Sequence, residues 1–291
     1  MRNQAFAFIK PHAMKSQAIA TTIGDMFEDG DITVSYSCVF SAEQLAAEGL
    51  IDQHFGAVSR VALIDDVAAL TVSEAGREAF AQAFGASWDA EVAGGRVVNS
   101  LEAQRRLDAT PAALCSAWAK YGAIEIGRDC YVAYFEDGGF YVLNGFYPSR
   151  RNAYLTDEAS VAVMLLDFEM DWHEFREAIV GSENPAAALE ESIRGYLYDR
   201  AAALEIMIDS IDNVLHVSAS PFAALCEKRV WLEPTIWQAD SLLRALRERT
   251  GKPDAEILAW VWKKAADSAS WDVFADQDTE VVAEALAIAM G

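Results

Sequence analysis

The segment Gln4 to Lys10, QAFAFIK, is an apolar run ended by a lysine and then by Pro11. A short apolar run closed by a residue without a backbone N–H predicts a buried strand. The next forty-five residues narrow the fold further. Ile19, Ile23, Met26 and Phe27 share one face of a helix that Gly30 stops. Ile32, Val34, Tyr36 and Cys38 then alternate, which is the period of a second strand. Ser41 and Gln44 form a capping box for a helix that runs on through DQHF to Phe55. The opening therefore reads β-α-β-α.

The stretch from Phe55 to about Arg128 is rich in alanine and reads mostly helical, with a break at Gly94-Gly95. RDCYVAYFEDGGFYVLNGFY reads as a β-hairpin turning at Asp137-Gly138-Gly139. SVAVMLLDFEM is another buried strand, and Asp171 with Glu174 caps a helix that Gly181 closes. NVLHVS is a short last strand, and Ser220-Pro221 supplies the cap and first residue of the next helix. Beyond Glu233, three helices are expected: IWQADSLLRALRERT, DAEILAWVWKKAADS and DTEVVAEALAIAM, broken at Gly251-Pro253 and at SASWD. The tryptophans of this tail, Trp237, Trp260, Trp262 and Trp271, are expected to pack on the core or to serve an oligomer interface.

The chain has 291 residues, 53% of them hydrophobic, which is enough for a sizeable core. Its formal net charge of -22 argues against nucleic acid and anionic membranes as partners. An anionic substrate would need a local basic pocket or a bound cation. Cys38, Cys115, Cys130 and Cys226 show no metal-ligand spacing and read as reduced thiols of an intracellular protein. The longest apolar run, ASVAVMLL, is far too short to span a bilayer, and MRNQAFAFIKP enters a strand pattern with no leader. A cytoplasmic protein is expected.

Three segments carry polar residues that a packed strand does not need. They are FIKPHA with Lys10-Pro11, NPAAALEESIRG with Asn184-Pro185 and Ser192-Ile193-Arg194-Gly195, and Asn213-Val214-Leu215-His216-Val217-Ser218 with Glu227 and Trp231 downstream. In this order they resemble the nucleoside diphosphate kinases. Asp52 to Phe55 is similar to that family's pair at the end of the second helix, and Leu143 to Tyr147 to a segment of an insertion-bearing group. The resemblance covers roughly residues 3 to 56 and 159 to 232. It implies an α+β fold, a ferredoxin-like βαββαβ core formed by residues 1–56 and 159–232. Residues 57–158 would be an insertion of helices and hairpin, and 233–291 a helical extension.

The same resemblance implies transfer of a γ-phosphate from a nucleoside triphosphate to a nucleoside diphosphate through phospho-His216. Imidazole suits the task because it is both a good nucleophile near neutral pH and a good leaving group. Glu227 and Ser218 would orient the ring. Lys10 and Arg194 would meet the phosphate charge, and Asn213 would contact ribose or phosphates. Mg²⁺ would travel on the nucleotide, with no protein cage. A homo-oligomer is expected, as the family usually forms symmetric ones. A lone strand histidine is ordinarily a packed structural residue; the surrounding motifs change that reading for His216. His54 reads as structural or pocket-edge, and His12 and His173 as surface.

The sequence also departs from the family pattern. Phe55 stands where an aromatic hydroxyl is usual, and Glu183 where a threonine is usual. Arg176 lies one place off the expected arginine, which is Glu177 here. Phe55, Arg176, Arg150 and Arg151 complete the candidate nucleotide-binding set, the last two from GFYPSRRNAY with Tyr147. These departures leave two alternatives open. One is a nucleotide-binding or interaction module with weak or no catalysis. The other is a phosphohistidine enzyme with a different acceptor.

Overall fold

A computed structural model describes residues 2–64, 66–266 and 269–291. The described residues hold eight strands: β1 (Asn3–Ile9), β2 (Thr33–Ser41), β3 (Val97–Val98), β4 (Ile124–Gly127), β5 (Cys130–Phe135), β6 (Phe140–Leu143), β7 (Ser160–Phe168) and β8 (Leu215–Val217). The protein is mixed α and β, with two four-stranded sheets and many helices. It forms two compact units, Met1–Gln44 with Asp157–Gly291, and Leu45–Thr156. No helix among the described residues is long and apolar enough to cross a membrane.

The first unit is built on β1. Its sheet runs β2-β7-β1-β8 with antiparallel neighbours throughout. The apolar run of β1 is explained by its place: pairing on both edges, with Ala5, Phe6, Ala7 and Phe8 all at 0% exposure. Directly paired residues share a face of a sheet. Gln4 opposite Asp167, Phe6 opposite Leu165, and Phe8 opposite both Val163 and His216 therefore mark one face. The helix Gln17–Asp29 links β1 to β2 and buries Ile19, Ile23 and Phe27. The helix Ile193–Asp199 lies between β7 and β8 in the chain.

Several elements differ from the sequence reading, each for a local reason. The helix expected to run to Phe55 breaks into Ala42–Glu48 and Leu50–His54, because Gly49 takes a left-handed conformation at φ 62°. The alternation expected in β2 is interrupted by a bulge between Val34 and Tyr36. In the tail, Pro234–Trp237 and Ser241–Thr250 are separate helices, because Asp240 caps the second by accepting from the Leu243 amide at 2.9 Å. The expected break at SASWD is a short helix, Ala269–Val273, and the preceding helix is Asp254–Ala265; Asp267 and Ser268 lie outside the described residues.

The tail is fastened to the sheet through a buried cation. Lys228, at 0% exposure, donates to Asp240 at 2.6 Å, to the Gln4 side chain at 2.7 Å and to the Gln4 carbonyl at 3.3 Å. Three donors meet three acceptors, the condition under which a buried ammonium is tolerated. A second fastening joins Asn3 to Asp278 and Thr279: its amide donates to Asp278 at 2.7 Å, and its carbonyl oxygen accepts from the Thr279 amide and hydroxyl at 2.9 and 2.8 Å.

The second unit holds the sheet β3-β6-β5-β4, with β3 parallel to β6 and the other pairs antiparallel. The β5–β6 hairpin matches the expected turn. The stretch read as mostly helical also contains β3 and β4, two and four residues long, whose apolar alternation is too brief to compete with the helical signal around it. Phe80, Trp88 and Tyr141 lie in one core cluster, and Trp118, Phe135 and Phe140 in the other. Asn144 pins the LNGFY segment: fully buried, it accepts from the Tyr131 amide at 2.9 Å and donates to the Asp129 and Val58 carbonyls at 2.8 and 3.1 Å.

The buried Lys228 ties stability to its partner. Asp240→Ala strands that ammonium and removes a helix cap, and is expected to cost about 3–5 kcal/mol in urea unfolding. A loss below about 1 kcal/mol would show that the pair is not the fastening described.

Candidate active site

The strand β8 enters the site through a strained turn. The Leu215 amide donates to the Asn213 carbonyl at 2.8 Å across Val214, whose φ is 64°. A β-branched residue at positive φ is costly, and such strain collects at functional sites. Two residues later His216 faces Phe8, with ring centroids 4.7 Å apart and planes 21° from parallel. Ser218 lies on the same face, as every second strand residue does. Its amide donates to the Phe6 carbonyl at 2.9 Å, and its hydroxyl accepts from the Phe6 amide at 3.2 Å.

The helix Pro221–Trp231 supplies the third member. Ser220 caps it, accepting from the Ala223 amide at 3.1 Å, and Pro221 fills the first position. Glu227, two turns in, is only 9% exposed. One carboxylate oxygen lies 3.0 Å from His216 Nε2, and the other takes the Ser218 hydroxyl in a very short hydrogen bond. The serine proton goes to Glu227, the stronger acceptor, since the Phe6 carbonyl already holds the Ser218 amide.

This contact fixes the ring's tautomer. An ionised carboxylate only accepts, so the neutral imidazole carries its proton on Nε2 and its lone pair on Nδ1. The imidazole pKa is pushed down to about 3, first by burial, then by the charges of Lys10 and Arg194, with Arg176 adding and Glu183 opposing. His216 is thus neutral and nucleophilic at physiological pH.

The cations are set by the loops around β8. Lys10, at the end of β1, donates to the Asn213 side chain and to the Ile211 carbonyl, both at 2.7 Å. Asn213 in turn donates to the Glu183 carbonyl at 3.0 Å, joining the NP loop to the strand that carries His216. Arg194, 6% exposed, donates to the Gly181 and Leu215 carbonyls, both at 2.8 Å, while its Nε is buried with no hydrogen-bond partner among the described residues. Burial chiefly, and Arg176 in addition, lower its pKa to about 10. The SIRG motif has a packing logic. Ser192 caps the helix through the Gly195 amide at 3.3 Å, and a Cβ at Gly195 would lie 2.0 Å from the Leu189 carbonyl oxygen. Only glycine allows that approach.

Arg176 is the second residue of a π-helical segment, Phe175–Val180, in which the Gly181 amide reaches back to the Arg176 carbonyl. Such a turn holds one residue more than an α-turn. The Arg176 guanidinium donates to Asp276 at 2.6 Å and lies 3.5 Å from the Glu183 carboxylate. Asp276, from the tail, was not marked by any sequence signal, and neither was the stacking role of Phe8. His12, expected at the surface, is mostly covered. Its Nδ1 lies 3.8 Å from Asp212, and its Nε2 is buried without a hydrogen-bond partner among the described residues.

Phe55, Arg150 and Arg151 belong to the second unit. There Arg151 grips Asp52 with contacts of 2.8 to 2.9 Å, and Tyr147 donates to the same carboxylate at 2.6 Å. The Arg150 guanidinium lies over the Phe146 ring at 4.6 Å, and Phe55 packs edge-on against Tyr154.

No family model matches the chain, and no curated protein matches it. The solved structures it is similar to include three nucleoside diphosphate kinases. The one from Pyrobaculum aerophilum is 18% identical, with a TM-score of 0.39, over 81% of this chain and 98% of that one. The one from Encephalitozoon cuniculi is 13% identical, with a TM-score of 0.38, over 79% and 88%. The one from Borrelia burgdorferi, solved with vanadate and ADP, is 13% identical, with a TM-score of 0.38, over 80% and 89%.

The depressed imidazole has two measurable consequences. In the NMR spectrum the His216 ring is expected to stay neutral from pH 8 down to pH 5, whereas an ordinary histidine titrates near 6.5. Between about 6.5 and about 3 the unfolded chain binds a proton at this position that the folded chain refuses. This group therefore lowers stability as the pH falls through that window. A ring that titrates near 6.5 in the folded protein would refute the assignment.

Proposed function

We propose that the chain transfers the γ-phosphate of a nucleoside triphosphate to a nucleoside diphosphate through a phosphohistidine at His216. The site would stand on a ferredoxin-like βαββαβ core. The strand order β2-β7-β1-β8, with helical connections from β1 to β2 and from β7 to β8, supports that description. The observation that carries the functional reading is the Glu227 carboxylate shared between His216 Nε2 and the Ser218 hydroxyl.

In the first half-reaction the Nδ1 lone pair of His216 attacks the γ-phosphorus. The bond to the bridging oxygen breaks, and a nucleoside diphosphate leaves with that electron pair. The ring gains positive character, which the Nε2–H shares with Glu227. In the second half, a terminal oxygen of another diphosphate attacks the same phosphorus, and the N–P pair returns to Nδ1. Lys10, Arg194 and Arg176 all bear electrostatically on the ring, so a charged phosphoryl group there meets a cationic environment. That supplies the local basic pocket which an acidic chain needs for an anionic substrate. The cations bearing on the ring are two guanidiniums and an ammonium, and they suit phosphate oxygens better than a hard dication. Mg²⁺ therefore enters on the nucleotide, where it neutralises phosphate charge.

A second reading, a nucleotide-binding module with weak catalysis, is favoured by one observation. Arg176 is engaged by Asp276 with the Glu183 carboxylate 3.5 Å away, and two Arg194 donors are spent on carbonyls.

Incubation with γ-labelled ATP and Mg²⁺, and then with an unlabelled nucleoside diphosphate, separates the readings. Wild-type protein is expected to form an acid-labile, base-stable label that leaves as the new triphosphate, and His216→Ala to form none. Glu227→Gln presents an amide N–H to Nε2, moves the ring proton to Nδ1, and is expected to slow labelling by about 10²-fold or more. No label on the wild type, with nucleotide still bound, would sink the transferase reading and leave the binding module.

A further inference from the structure

The tail segment from Trp271 to Asp278 is held at three points. Trp271 and Phe274 pack against Phe222 of the helix that carries Glu227, with ring centroids 5.7 and 5.4 Å apart. The Asp276 amide donates to the carbonyl of Ala219, the residue after Ser218, at 2.9 Å. Asp278 accepts from the Trp172 amide at 2.8 Å and from the Asn3 side chain at 2.7 Å. Asp276 is thus fixed by its own backbone and by neighbours on both sides. It adopts a left-handed φ of 58°, which Asp and Asn tolerate better than most residues. Its carboxylate reaches Arg176 Nη1 at 2.6 Å.

We infer that Asp276 is a positioning residue of the phosphate site, holding the Arg176 guanidinium in place for the nucleotide's phosphates. The inference rests on the proposed phosphotransfer site and extends it to the C-terminal segment, where no sequence motif pointed. The geometry gives two reasons. The carboxylate is tied to the backbone directly after Ser218, so the arginine is referenced to the strand that bears the nucleophile. The contact occupies only one nitrogen at hydrogen-bond distance, since the Glu183 carboxylate stands off at 3.5 Å. A guanidinium held at one corner keeps its other N–H groups for phosphate oxygens and loses less entropy when they arrive.

The test uses the full chain and two readouts: steady-state phosphate transfer, and calorimetric binding of ADP. Asp276→Asn keeps the shape and the left-handed backbone while removing the charge. It is expected to raise KM for ATP and Kd for ADP about tenfold, with kcat changed much less. Asp276→Glu is expected to restore part of the loss. In an Arg176→Ala background, Asp276→Asn is expected to add nothing, because the two residues act as one unit. Thermal unfolding is monitored for every variant, and a KM change without a fall in Tm marks positioning apart from general loosening. Three outcomes would overturn the inference: unchanged KM and Kd in Asp276→Asn, tighter binding in Asp276→Asn because the carboxylate competes with phosphate, or effects that add to those of Arg176→Ala. Failure of the phosphotransfer reading looks different. The wild type then forms no labelled enzyme, and the inference is judged on ADP binding alone, where equal Kd values or no binding would overturn it.

Discussion

The carboxylate of Glu227 is the contact on which the rest of the site depends. It is nearly buried, and its two oxygens are taken up by the His216 ring and the Ser218 hydroxyl. Those two side chains share a face because they are two apart on a strand. That strand is held by β1, where Phe6 accepts and donates across to Ser218 and Phe8 backs the imidazole. Glu227 reaches them because Ser220 and Pro221 start its helix two turns earlier. The next residue, Lys228, points about 100° further round the helix, into its own buried ion pair with Asp240. One helix thus orients the His216 ring on one side and anchors the tail on the other.

The electrostatics depend on this packing. Burial above all makes the His216 ring resist protonation, and the charges of Lys10, Arg194 and Arg176 add to it. Neutrality costs nothing chemically here, since a neutral imidazole is the nucleophilic form. The chain as a whole carries a formal charge of -22, yet the groups bearing on His216 are mostly cationic. Folding therefore sorts charge. Two acids approach these cations at Arg176: Asp276 at hydrogen-bond distance, and the Glu183 carboxylate standing off at 3.5 Å.

Much of this was legible in the sequence because it is local. The apolar run of β1, the cap at Ser220 and the Asn213–His216–Ser218–Glu227 spacing each lie within a few residues of chain, where period and capping rules apply. Ser192 and Gly195 belong to the same class, one as a cap and the other as a close approach. What was not legible depends on distant partners or on single backbone angles. Gly49 splits a helix that its neighbours would have continued. Asp240 reads as mid-helix until Lys228, twelve residues earlier, makes a buried cap of it. The brief strands β3 and β4 take their identity from β6 and β5. Arg151 carries a cationic signal that suited phosphate, but Asp52, far away in the chain, takes up its guanidinium.

The tail shows the same limit in its strongest form. By composition it is a set of amphipathic helices with tryptophans, and nothing in their periodicity distinguishes a helical appendage from a part of the core. The distinction lies in unsatisfied groups elsewhere. Asn3 at the start of β1, the backbone amide of Trp172, the ammonium of Lys228 and the carbonyl of Ala219 are all polar groups at buried or partly buried positions. Each finds its partner in the segment between Asp240 and Thr279. A sheet face and a helix with those needs could not be left dry by apolar packing alone. The segment that answers them completes the first unit, and in passing it carries the Asp276 carboxylate to Arg176.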